Sequence, residues 1–155
     1  MKAFPEHFVG WTEAAGETRA LLQRPEHAAD VLVADNFMLA AELDFALDGT
    51  RAVYALDHPI NAKHGRAAQL AEWQRDEAAL NQPEPRRVLL VAEPSARRER
   101  ERAAWMHSLC ARVAGLEPLG AIDLYDGRKR YRWFEGSTGA AHAPAGDAAC
   151  AADAP

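Results

Sequence analysis

Three observations predict an α/β protein. Short apolar runs at Val31–Ala34, 52–56 and 87–92 read as buried strands, and segments with helical periodicity separate them. Near the end, Asp126-Gly127 joins two alternating segments, which is a strong signal for a two-residue hairpin. Strands alternating with helices imply a three-layer sandwich around a mostly parallel sheet with right-handed crossovers, completed by a C-terminal antiparallel hairpin.

The elements follow in order. Residues 10–24 place Trp11, Ala14, Ala15, Thr18 and Leu22 on one helical face, and Pro25 stops the helix. The first strand closes on Asp35-Asn36, a pair suited to capping the helix expected over 37–47. Asp48-Gly49-Thr50 makes a turn, and the second strand ends at Asp57-His58-Pro59. A single helix is expected over 65–80, with Ala67, Leu70, Ala71, Gln74 and Ala78 on one face and Trp73 on its flank, before Pro83 and Pro85. The third strand leads through Glu93-Pro94-Ser95 into a helix carrying Met106, Leu109, Cys110 and Val113 at apolar spacing. The charged run at 97–102 includes Glu99 and Glu101, so it reads as a solvated face.

In the hairpin, strands at 119–125 and 128–134 pair Ile122 with Tyr131 and Asp123 with Arg130, leaving Arg128, Arg130 and Arg132 on a polar face. Trp73, Trp105, Tyr131 and Trp133 suit stacking on a sugar or a place at a membrane interface, but their helical or strand-face spacing points to the core. One domain spans 1–136, and the Gly, Ala and Pro-rich stretch 137–155 is expected to be a disordered tail.

Composition narrows the function classes. A net charge of −5 with 26% charged residues describes a mixed surface and argues against a nucleic-acid partner. Glu42 and Asp44 interrupt the longest apolar stretch, so no membrane-spanning helix is expected, and the isolated chain reads as soluble. The first residues lack the pattern of a secretory signal. The two cysteines, Cys110 and Cys150, have no metal-site spacing and read as a buried thiol and a free tail thiol. No metal or cofactor is expected.

Ligands of open α/β sheets bind outside the carboxyl ends of the strands. Asp35 and Asn36 suit a sugar hydroxyl or a cation there, although helix capping explains the pair as well. The stretch Asp57, His58, Asn61, Lys63, His64, Arg66 and Gln69 offers several cations near an expected helix start, a setting for a phosphate group, or else a solvated loop. Asp57 and His58 are adjacent and point to opposite faces, so a dyad would need Asp35 with His58 or His64. No complete catalytic motif is present, and no catalytic residue is assigned.

The segments Gly10-Trp11-Thr12-Glu13, 33–45 and 54–59, continued by 61–73, resemble the soluble C-terminal region of bacterial glycosyltransferase family 39 membrane proteins. That group includes protein mannosyltransferases and the lipid A aminoarabinose transferase. The resemblance covers about residues 10–135. It implies an extramembrane module of an enzyme that transfers a sugar from a polyprenyl-phosphate donor at the periplasmic face of the inner membrane. The implied partners are the membrane domain, the bilayer surface and a polyprenyl-phosphate sugar. The family's acidic catalytic residues lie in a membrane-domain loop that has no counterpart here. Asp35, Asn36, His58, Asn61, Lys63, His64, Arg66 and Gln69 match its pattern, which implies recognition rather than catalysis. A stand-alone sugar-phosphate-binding protein or small enzyme, and a purely structural module, stay open as alternatives.

Overall fold

A computed structural model describes residues 9–139. The α/β expectation holds: β1 (Val31–Ala34), β2 (Val53–Ala55), β3 (Arg86–Ala92), β4 (Ala114–Leu124) and β5 (Lys129–Thr138) form one sheet in the order β2-β1-β3-β5-β4. The sheet is mixed. β1 runs parallel to both β2 and β3, whereas β5 runs antiparallel to β3 and β4.

Every residue from Val88 to Ala92 is buried, because β3 is central and both its faces are covered. Alternation along the strands sends their side chains into two cores. Leu32, Ala34, Leu89, Val91, Tyr131 and Trp133 pack with Ala14 and Leu21 of α1 (Trp11–Leu22) and with Leu39 and Leu43 of α2 (Phe37–Ala46). Val33, Val88, Leu90, Ala92 and Phe134 pack instead with Trp105, Met106 and Leu109 of α6 (Glu99–Arg112). Trp105, Tyr131 and Trp133 are therefore core residues, as their spacing predicts.

The expected helix over 65–80 is broken. Its region holds α4 (Ala67–Glu72) and α5 (Glu77–Leu80), and α3 (Pro59–Lys63) precedes them. Gln74 takes a left-handed φ of 56°, and the Asp76 side chain caps α5 by accepting from the Ala79 N–H at 2.9 Å. Between them, the Arg75 carbonyl accepts the Ala55 N–H at 2.8 Å. An uninterrupted helix would leave that edge-strand donor without this acceptor, so the break covers part of the exposed edge of β2. It also turns Trp73 outward, to 58% exposure, against the expectation of a core residue.

The hairpin registers as expected, with Ile122 opposite Tyr131 and Asp123 opposite Arg130. Asp126 and Gly127 both take positive φ, 57° and 79°, as a type I′ turn requires. β5 continues beyond residue 136, because Ser137 and Thr138 pair with Arg87 and Arg86 of β3. The strand thus takes in two residues assigned to the tail, and 140–155 lie outside the described residues. Cys110 is disulfide-bonded, which corrects its reading as an unbridged buried thiol, and Cys150 lies outside the described residues. Among the described residues, no helix is long and apolar enough to cross a membrane.

Gly136 tests the packing at this sheet junction. A Cβ there would lie 2.9 Å from Ala114 O, Leu116 Cδ2 and Val113 Cγ1, so Gly136→Ala forces the strand or its neighbours to move. Overpacking of this kind costs about 1–3 kcal/mol, to be read as a lower urea midpoint with an unchanged slope. A midpoint equal to that of the parent would contradict the observed packing.

Candidate functional site

Parallel strands aim the polar residues of β1, β2 and β3 at one end of the sheet, and most of them are buried there. Asp35 and Asn36 divide the work. Asn36 caps α2, its Oδ1 accepting the Leu39 N–H at 3.0 Å. Asp35 is wholly buried and caps nothing: Oδ1 accepts from Asn36 Nδ2 at 2.9 Å, and Oδ2 accepts from Trp105 Nε1 at 2.9 Å. The capping explanation therefore covers Asn36 alone. Burial raises the Asp35 pKa from its ordinary value, and donated hydrogen bonds from Trp105, the Glu93 backbone and Asn36 limit the rise.

The stretch that follows β2 splits into a buried and an exposed half. Asn61 is buried and spans two elements, accepting the Phe37 N–H and donating to Leu56 O, each at 2.9 Å. His58 is buried while Asp57 is exposed, so the neighbours face apart as expected. His58 Nδ1 accepts the Ile60 N–H at 3.0 Å. A neutral ring then carries its proton on Nε2, which has no hydrogen-bond partner among the described residues. The ring lies edge-on to Trp105, with centroids 4.5 Å apart. Burial, with Arg97 and Arg112 nearby, lowers the His58 pKa from 6.5 to about 4. No hydrogen bond joins Asp35 to His58; the Trp105 indole contacts both. That arrangement makes no acid–base dyad.

Lys63, His64 and Arg66 are exposed, with Gln69 at the margin. Arg66 Nη1 donates to Gln69 Oε1 at 2.9 Å, and the His64 ring contacts Phe37 with centroids 5.8 Å apart. Arg66 and Gln69 line a groove of about 690 Å³ between α2 and α4, together with Phe37, Asp44, Trp73 and Arg75. Of the residues expected to form one site, Asp35, Asn36, His58 and Asn61 thus fall into a buried network and Arg66 and Gln69 into a separate surface groove, while the exposed Asp57, Lys63 and His64 belong to neither.

Sequence reasoning missed a buried ion pair beside the network. Lys129 Nζ lies 3.2 Å from Glu93 Oε1, with both side chains less than a tenth exposed. Burial raises the Glu93 pKa from 4.5 to about 7, and Lys129 limits the rise. Lys129 shares a strand face with Tyr131 and Trp133, so period-two alternation through the hairpin would have placed it inside. A pit of about 20 Å³ remains beside Glu93, Lys129 and Asn36, room for about one water molecule. Among the described residues, no group of three or more His, Cys, Asp or Glu is placed to hold a metal ion.

Comparison of the chain with family models, curated proteins and solved structures finds no match.

Glu93 and His58 drive stability in opposite directions with pH. Folded Glu93 keeps its proton up to about pH 7 but loses it near 4.5 when unfolded, so the fold weakens as pH rises between those values. Buried Asp35 acts with the same sign. Folded His58 is neutral above about pH 4 but binds a proton below 6.5 when unfolded, so the fold strengthens as pH rises through that window. In thermal melts between pH 4.5 and 6.5, the slope of stability against pH should be more positive in Glu93→Gln than in the parent and more negative in His58→Gln. Three parallel pH profiles would remove both groups from the response.

Proposed function

We propose that the chain is an accessory, substrate-facing module of a membrane glycosyltransferase that takes a sugar from a polyprenyl-phosphate donor. The groove between α2 and α4 carries this reading. It gathers Arg66, Gln69 and the exposed Trp73, the last two of which stand in the segment that resembles glycosyltransferase family 39, as does Arg66. Polar residues at the strand ends are engaged with one another: Asp35 with Trp105 and Asn36, Asn61 with two backbones, Glu93 with Lys129. Recognition through the accessible groove follows more naturally from this arrangement than chemistry in the buried network.

We read the helices on the two sheet faces as a three-layer sandwich. Placement at the periplasmic face, against the membrane domain or the bilayer surface, belongs to the same proposal. A stand-alone sugar-phosphate-binding protein is the competing reading, and the arginines of the groove suit it too.

The proposal is tested on the gene and on its product. It requires an in-frame hydrophobic multi-helix region upstream of Met1. Deleting residues 9–139 from that parent should lower sugar transfer from a polyprenyl-phosphate donor while leaving membrane insertion intact. Undiminished transfer, or a separate soluble gene product, would sink it.

A further inference from the structure

The chemistry of the α2/α4 groove specifies a class of ligand. Trp73 is 58% exposed on one wall, an unusual place for the largest apolar side chain. On the same helix, Arg66 is steered by its hydrogen bond to the Gln69 amide oxygen. Arg75 is held by the Tyr54 ring, 5.4 Å below its guanidinium carbon, and by the Gln74 carbonyl at 3.2 Å. Among the described residues, neither Arg66 nor Arg75 has a carboxylate within ion-pairing distance. The groove therefore presents two positioned cations that form no ion pair among the described residues.

The α2 side of the groove is lined by the small residues Ala40 and Ala41 and by one acidic side chain, Asp44. A volume of about 690 Å³ lies within the range of small-molecule sites. A purely apolar occupant would take two arginines and an aspartate out of water without partners. An inorganic anion alone would leave the indole unused. A pyranose answers each feature: its C–H face covers an aromatic ring, and its hydroxyls pair with carboxylate and amide groups.

We propose that this groove binds an anionic saccharide, a pyranose bearing a carboxylate or a phosphate. The ring lies on Trp73, the anion is held by Arg66 and Arg75, and Asp44 and Gln69 take hydroxyls. This rests on the reading of the groove as a recognition surface and names what it recognises.

Calorimetry on the 155-residue chain with glucose 1-phosphate, galacturonic acid and neutral glucose tests it. One or both acidic sugars should bind, and glucose at least about tenfold more weakly, as loss of a charge-assisted contact implies. Trp73→Ala and Arg66→Ala should each weaken binding by about tenfold, and Trp73→Phe should recover part of the loss. Arg100→Ala, exposed and outside the groove, should leave affinity unchanged. Binding of the phosphate sugar alone or the uronic acid alone identifies the anion, and either supports the proposal. Three results would overturn it: equal binding of glucose, inorganic phosphate binding as tightly as either acidic sugar, or no binding at millimolar concentration. If transfer by the parent depends on the domain while no saccharide binds, the accessory role stands and this inference falls.

Discussion

The fold is organised around a carboxyl group that has no access to water. Asp35 ends β1 in the middle of the parallel part of the sheet, where an unpartnered carboxylate would cost several kcal/mol. Its two oxygens find donors on opposite sides of the sheet, Asn36 at the start of α2 and Trp105 in α6. Moving either helix along its face would strip a donor from the buried group. A buried polar group stripped of its donor carries its full desolvation penalty, about 1–3 kcal/mol and more for a charged group. The Asp35 contacts therefore fix where the helices stand, and apolar burial supplies most of the energy that holds them there.

The same network decides where a ligand can sit. Crevices beyond the carboxyl ends of parallel strands ordinarily receive ligands. Here Asn61 ties α2 to the end of β2, His58 lies against Trp105, and Glu93 meets Lys129 across the β3–β5 boundary. What remains of the crevice is a pit of about 20 Å³. Accessible polar chemistry is displaced sideways to the β2 edge, where α4 stands clear of α2. The break at Gln74 and Arg75 links the two halves of the story, since one backbone excursion both caps the edge strand and exposes Trp73.

Local pattern alone carried a good part of this. β1 is legible as four apolar residues, α2 begins at the cap the sequence advertises, and Asp126-Gly127 dictates the hairpin and its register. These features depend on neighbours within a few positions, where propensity, alternation and turn geometry act directly. The assignment of Trp105, Tyr131 and Trp133 to the core has the same origin.

Features that depend on distant partners were decided by tertiary structure. Asp35 and Asn36 look alike as cap residues, and the Trp105 indole, brought in from a later helix, makes one of them a buried hub. Continuous periodicity over 65–80 hides a break that answers a free N–H on β2. β5 outruns the composition of its end because β3 offers partners for Ser137 and Thr138. Lys129 and Glu93 meet only once the hairpin lies against β3. The sequence by itself thus determined the elements and their polar ends; the three-dimensional packing chose which polar groups are buried as anchors and which line a surface groove, because desolvation depends on everything that closes around a residue.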